Sequence, residues 1–181
     1  MRRALKIHPN SHCNAVVGIE VEVSRPKTRC LALQYHLTGT TGEVRMPSAA
    51  TPARADELWR HTSFEAFVRS SGSASYFEFN FAPSMRWAAY RFADYRQGMS
   101  NQSLTEAPQL CGQMSDAGYE LRVHLDLHGL PDLAESGPWQ VGLSAVIEDV
   151  SGRRSYWALT HPPGEADFHH ADCFALELPA A

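Results

Sequence analysis

The chain has 181 residues, of which 44% are hydrophobic and 20% are charged, and its formal net charge at pH 7 is −4. This length can bury one sizeable core but is short for two, so we expect a single domain over residues 1–181. No run of five or more Lys and Arg residues occurs, which argues against nucleic acid or an acidic membrane as a partner.

The N-terminal third predicts exposed and half-buried strands. Its basic start, MRRALKIHPN, is interrupted by Lys6 and Pro9 before it reaches the length of a signal peptide. No later segment is long enough to span a bilayer, so we expect a soluble, cytoplasmic protein. VVGIEVEV (16–23) and CLALQYHL (30–37) alternate apolar and polar residues, as half-buried strands do. The Pro- and Ala-rich segment 47–56 predicts a loop.

The middle of the chain predicts an antiparallel meander of three strands, in ELWRHTSFEAFV, SYFEFNFAP and RWAAYRF. Residues 94–118 are polar and turn-rich, with one short strand near QLCGQM. YELRVHLDL, PWQVGLSAVIEDV, RSYWALTH and CFALEL supply the remaining strands. No segment of useful length has a helical period. About nine to eleven short strands separated by turns predict an all-β fold, an antiparallel β-sandwich.

The meander predicts one apolar and one mixed face, because neighbouring residues on a strand point to opposite sides. The predicted core face consists of Phe64, Ala66, Val68, Phe77, Phe79, Phe81, Ala88, Tyr90 and Phe92. The predicted mixed face consists of Trp59, His61, Ser63, Glu65, Phe67, Tyr76, Glu78, Asn80, Trp87, Ala89 and Arg91. Indole rings beside carboxylate, amide and guanidinium groups suit a sugar, which stacks on aromatic rings and bonds through its hydroxyls. The same pattern also fits an ordinary amphipathic face with a Glu65–Arg91 pair.

Several segments together resemble the DOMON-like domains grouped with family 9 carbohydrate-binding modules, particularly a small stand-alone bacterial branch. They are ADELWRHTSFEAFV, YFEFNFAPSMRWAAYRF, WQVGLSAVIED, SYWALTHPPGEADFHH and FALEL, and they cover most of residues 55–178. The resemblance implies an immunoglobulin-like or jelly-roll sandwich that binds a sugar or haem without transforming it. Sugar-binding members carry a tryptophan six positions before an acidic residue, a spacing that Trp59 and Glu65 keep. Trp157 is the nearest candidate for a second stacking tryptophan.

Haem and metal are the alternatives to a sugar. The resemblance implies one Met and one His as haem ligands, and none of the five Met and nine His residues aligns as such a pair. HPPGEADFHH (161–170) has a spacing that could build a transition-metal site or cap a loop. We favour the loop, with His161 and His169 near the ligand, and expect neither a metal nor a cofactor. The four scattered cysteines are expected to be reduced.

The sequence therefore predicts a non-catalytic module that binds a small, sugar-like ligand. It contains no nucleophile elbow, HExxH motif or phosphate-binding loop. Ser63 lies about 7 Å along the strand from its polar neighbours, beyond the reach assured for a proton relay. The predicted ligand-binding residues are Trp59, His61, Glu65, Asn80, Trp87, Arg91, His161 and His169. A further alternative is an interaction protein whose aromatic face packs against another chain.

Overall fold

The protein consists of β-strands and short turns, in a computed structural model that describes all residues, 1–181. The strands are β1 Arg2–Ile7, β2 Val16–Ser24, β3 Cys30–Gly39, β4 Ala53–Arg54, β5 Ser63–Ser70, β6 Tyr76–Phe81, β7 Arg86–Phe92, β8 Ser100–Asn101, β9 Gln109–Ser115, β10 Gly118–Asp126, β11 Trp139–Glu148, β12 Arg154–Ala158 and β13 Leu176–Leu178. Three 3₁₀ turns cover Thr41–Glu43, Leu58–Arg60 and Ala171–Cys173, and none is long and apolar enough to cross a membrane. The predicted all-β class is confirmed.

The strands form one continuous hydrogen-bonded path, in the order β4-β7-β6-β5-β11-β12-β1-β2-β3-β10-β9. β13 adds to β11, and β8 adds to β7. The path changes direction at β1, which pairs with β2 through Arg2 to Leu5 and with β12 through Lys6 and Ile7. We call β1, β2, β3, β10 and β9 sheet A, and the remaining strands sheet B. The basic N-terminus is therefore the strand that joins the two sheets.

The inner faces of sheets A and B share one core. Thirty-five buried residues, most of them from the strands of both sheets, form a single apolar cluster. Tyr35 of sheet A lies with its ring centroid 5.1 Å from that of Phe64 in sheet B, and its hydroxyl donates to the Glu65 carbonyl at 2.7 Å. Each fully buried large apolar side chain contributes roughly 1.5–3 kcal/mol. This shared core fixes sheet B, so that its outer face can carry a site.

Two expectations about the strands need correction. β4 pairs with β7 in parallel, so the strands are not all antiparallel. The predicted faces of β7 are also reversed, because Trp87 pairs with Phe81, and Ala89 with Phe79. Trp87, Ala89 and Arg91 therefore share the side of the inner residues, while Ala88, Tyr90 and Phe92 face outward. The cause is the corner before β7, where Met85 adopts a left-handed φ of 65°, because a tight corner sets the register of the next strand.

Candidate functional site

A cavity of about 370 Å³ lies on the outer face of sheet B. Small-molecule sites commonly enclose roughly 300–1,000 Å³. Its aromatic walls are Trp59, Phe67, Phe92, Tyr156 and Phe168. Its polar lining is Glu65, Glu78, Arg96, Arg154 and His169. An aromatic hollow with a few convergent polar groups is the usual composition of a small-ligand site.

Strand pairing builds the floor of the cavity. Glu65 and Phe67 of β5 stand opposite Asn80 and Glu78 of β6, so all four side chains share the outer face. Ser144 of β11 stands opposite Glu65 on the other side. Two carboxyl groups from adjacent strands therefore meet at the bottom of an aromatic hollow. We call Glu65 and Glu78 the carboxyl pair.

Residues 160–175, which we call the covering loop, form one wall of the cavity. The loop packs closely on β11, since a Cβ atom at Gly142 would lie 2.9 Å from the Cys173 carbonyl oxygen. Phe168 and Phe174 of the loop join an apolar cluster with Phe67 on the outer face of sheet B. The covering loop therefore shields much of the aromatic outer face of sheet B, the face that could otherwise pack against another chain.

A clasp holds the covering loop to residues 93–99, which follow β7. Asp167 of the loop accepts hydrogen bonds from Arg96 at 2.7 Å and 3.2 Å, and another from the Tyr95 hydroxyl. Burial alone raises the pKa of Asp167, but the hydrogen bonds from Arg96 and Tyr95 outweigh it and leave that pKa below its ordinary value. The clasp is therefore an ionised pair, which fixes the rim of the cavity.

The carboxyl pair is almost completely buried, with Glu65 2% and Glu78 5% exposed. Glu65 Oε2 accepts from the Ser144 hydroxyl at 3.2 Å, while its Oε1 is buried without a hydrogen-bond partner. Glu78 Oε1 accepts from the Asn80 amide at 2.7 Å. Burial, and then the neighbouring Glu78, raise the pKa of Glu65 well above its ordinary value. Burial likewise raises the pKa of Glu78 to about 7.

His169 closes one side of the carboxyl pair as a neutral ring. Its Nδ1 lies 2.8 Å from the Tyr76 hydroxyl, and its Nε2 lies 3.8 Å from Glu78 Oε2. Burial, and then the charge of Arg96, lower the pKa of His169 to about 4. At neutral pH the imidazole therefore brings no positive charge to the two carboxyl groups.

Trp59 reaches the cavity from a turn and not from the strand that strand alternation predicts for it. It lies in the 3₁₀ turn Leu58–Arg60, which follows Glu57 with a left-handed φ of 62°. The strand itself begins at Ser63. The half-buried indole packs edge-on against Tyr90, with ring centroids 5.7 Å apart. Trp59 and Glu65 nevertheless line the same cavity.

The structure brings together three of the eight predicted ligand-binding residues, namely Trp59, Glu65 and His169. Asn80 does not line the cavity but orients Glu78 through the hydrogen bond described above. The remaining four lie elsewhere.

Three of those four residues contact polar groups outside the cavity, and the fourth packs into the core. His61 Nδ1 lies 2.7 Å from Glu148 Oε2. Arg91 Nε donates to Asp132 Oδ2 at 3.0 Å, so the expected Glu65–Arg91 pair does not form. Trp87 packs against the inner core. His161 Nε2 lies 2.8 Å from the Lys6 carbonyl oxygen.

The second aromatic wall comes from Tyr156 and not from Trp157. Trp157 is 5% exposed, belongs to the inner core, and donates through Nε1 to the Ser155 hydroxyl at 3.0 Å. Since neighbours on a strand face opposite sides, Tyr156 and Arg154 lie on the outer face. Alternation along RSYWA could have identified both. Arg96 and Phe168 lie in loops, where no periodic signal marks them.

The His-rich segment does not converge on a metal-binding geometry. In the structure no group of three or more His, Cys, Asp or Glu side chains is arranged to hold a metal ion. Asp167 binds Arg96, His161 faces the Lys6 carbonyl, and His169 faces Tyr76. The segment acts as part of the covering loop.

No protein-family model and no curated protein matches the sequence. Among solved structures, the chain is similar to a proposed carbohydrate-binding protein from Bacteroides uniformis ATCC 8492, with a TM-score of 0.68 and 12% identity over 96% of this chain and 83% of that one. It is also similar to a family 9 carbohydrate-binding module from Caldicellulosiruptor kristjanssonii in complex with cellotriose, with a TM-score of 0.50 and 12% identity over 91% of this chain and 74% of that one. Identity this low shows a shared fold alone.

Proposed function

We propose that this chain is a non-catalytic carbohydrate-binding domain of the DOMON-like type, a single β-sandwich that holds a sugar in the cavity on sheet B. One observation carries the proposal. Trp59 and Glu65, the pair singled out by its spacing, line one cavity on a fold shared with a module that was solved with cellotriose. The core shared by both sheets supports the immunoglobulin-like or jelly-roll description.

The chemistry of the cavity fits a sugar ring. The half-buried Trp59 indole offers an apolar face to the C–H side of the ring. Glu65 Oε1, which has no partner in the protein, accepts a hydrogen bond from a hydroxyl group of the ligand. Arg154 at the rim offers guanidinium donors to the hydroxyl groups that point outward.

The proposal is tested by isothermal titration calorimetry with D-glucose, cellobiose and cellotriose. We expect Trp59→Ala and Glu65→Gln each to weaken binding at least about tenfold, because the first removes a stacking contact and the second disturbs a buried hydrogen bond. Glu120→Gln, on the outer face of sheet A, is the matched control and keeps wild-type affinity. Unchanged affinity in both cavity variants would refute the proposal.

Haem remains the second candidate because Met99 and His169, one residue of each type used as axial ligands, line this same cavity. The experiment that separates the two ligands is a haem titration followed by absorbance. A Soret band that is lost in both Met99→Ala and His169→Ala supports haem. A protein that stays colourless and binds a sugar supports the carbohydrate.

A further inference from the structure

The carboxyl pair has hydrogen bonds for only some of its oxygen atoms, and it forms no ion pair with Arg96 or Arg154, although both line the cavity. The groups near it are Tyr35 from β3, Tyr76 and Asn80 from β6, Ser144 from β11, Arg154 from β12, His169 from the covering loop, and Arg96 from residues 93–99. Glu65 Oε1 remains without a partner. Burying one carboxylate is costly, and burying two together without a cation is more so.

The cationic side chains near the carboxyl pair do not form ion pairs with it. Arg96 gives two hydrogen bonds to Asp167, and its charge lowers the pKa of Glu78 without offsetting the larger effect of burial. His169 is a neutral ring for the reason given above. Arg154 is exposed at the rim. Since burial costs charged carboxylates so much, either protons or a cationic group of the ligand must balance the pair.

We propose that the cavity takes a sugar carrying a primary ammonium group, with the ammonium seated between Glu65 and Glu78 and the ring against Trp59. This inference rests on the proposed sugar-binding function and names the class of sugar. An ammonium group carries three donors, which matches the unpartnered Glu65 Oε1 and the Glu78 Oε2 that lacks a close partner. The aromatic rings of the walls add cation–π attraction.

Binding of an ammonium group is expected to release a proton from the carboxyl pair. Before a ligand binds, the pair retains a proton near neutral pH, since burial raises the pKa of both carboxyl groups. An ammonium group that enters the cavity balances the negative charge of the pair in place of that proton. The proton is then released to the solvent. Affinity for the amino sugar therefore rises with pH between about 5 and 7, while the amine itself stays protonated.

The test compares D-glucosamine with D-glucose and N-acetyl-D-glucosamine by calorimetry at pH 7. We expect D-glucosamine to bind at least about tenfold more tightly than either neutral sugar, as charge-assisted hydrogen bonds are roughly twice as strong as neutral ones. At pH 6, titrations in two buffers of different ionisation enthalpy are expected to reveal proton release on binding D-glucosamine only.

Matched amide variants test the role of the carboxyl pair. Glu78→Gln keeps the shape and its contact with Asn80, and is expected to reduce the ratio of D-glucosamine to D-glucose affinity at least about tenfold. Glu65→Gln is the second variant, with the same expectation. Glu177→Gln, at the one exposed position of β13, is the control and keeps the wild-type ratio.

Each remaining outcome overturns a distinct statement. Equal affinities for D-glucosamine and D-glucose overturn the ammonium inference and leave the sugar-binding proposal standing. Binding of ethylammonium as tight as that of D-glucosamine overturns the sugar part, because a free amine then suffices. Absence of binding by every sugar overturns the proposed function and this inference together.

Discussion

The outer faces of sheets A and B carry similar alternating patterns but place their carboxylates in opposite environments. On sheet A, Glu20 and Glu22 have side chains that are 48% exposed, and Arg2 lies 2.6 Å from the first and 3.8 Å from the second. On sheet B, the carboxyl pair is at most 5% exposed and has no such partner. The outer face of sheet A is an ordinary solvated surface, whereas that of sheet B carries the candidate site.

The difference arises from the covering loop. Strand alternation puts carboxylates on one side of each sheet, but only sheet B receives residues 160–175 across that side. Water screens the acids of sheet A, whereas the loop removes water from those of sheet B. The raised pKa values of Glu65 and Glu78 therefore depend on the loop that covers their strands.

The largest expected effect comes from separating the loop from sheet B. Gly142→Val places a branched side chain against the Cys173 carbonyl oxygen, 2.9 Å from the first added atom. We expect a loss of about 3 kcal/mol in unfolding free energy, the cost of overpacking a tight contact, together with weaker sugar binding. Urea denaturation and calorimetry measure the two effects.

The matched control lies on sheet A. A Cβ atom at Gly18 meets only the Thr38 hydroxyl, at an ordinary 3.5 Å. Gly18→Val is expected to change stability by less than about 1 kcal/mol. Equal losses in the two variants would show that the covering loop does not rest on Gly142.

The next effect is a pH dependence confined to sheet B. Because burial raises the pKa of Glu78 from 4.5 to about 7, the folded state holds this proton more tightly than the unfolded chain. Its contribution to stability is complete below about pH 4.5 and is lost as the pH rises to about 7. Glu78→Gln should therefore gain stability over wild type progressively between pH 4.5 and pH 8, by up to about 3 kcal/mol.

Thermal and urea unfolding across this pH range measure that gain. Glu120→Gln, on sheet A with a side chain that is 25% exposed, should differ from wild type by less than about 0.5 kcal/mol throughout. A Glu78→Gln profile parallel to that of wild type would mean that the carboxyl is solvated.

A smaller effect is expected at the clasp. Asp167→Asn weakens the hydrogen bonds from Arg96 and Tyr95, at a cost of about 1 kcal/mol. Amide hydrogen exchange in residues 160–175 should become faster, and sugar affinity should fall a few-fold. Asp172→Asn, in the same loop with a side chain that is 63% exposed, is the control. Equal exchange rates in the two variants would contradict the clasp.

The smallest effect belongs to the exposed face. Arg2→Ala removes the 2.6 Å pair with Glu20, and both side chains are about half exposed. We expect a change below about 0.5 kcal/mol in urea denaturation, since exposed pairs are screened by water. A loss above about 1 kcal/mol would contradict the comparison, because the charges on the outer face of sheet A would then be poorly screened by water, like those on sheet B.

The fold was largely predictable, and the site only in part. Alternation of apolar residues predicted the all-β class and placed Glu65 and Glu78 on one face, because side-chain direction follows strand period. It failed at Trp87 and Arg91, where the corner at Met85 sets the register. It gave no sign of Arg96, whose position depends on a loop contact distant in sequence.

The central claim is that a sugar binds beside Trp59 in the covered cavity. Four tryptophans give four indole N–H resonances in a ¹H–¹⁵N correlation spectrum, with Trp59→Phe identifying one of them. Titration with D-glucose, cellobiose and D-glucosamine should shift the Trp59 resonance and leave that of Trp139, whose Nε1 donates to the Ala134 carbonyl at 2.9 Å, in place. A Trp59 resonance that no sugar moves, or a shift confined to the other tryptophans, would contradict the account.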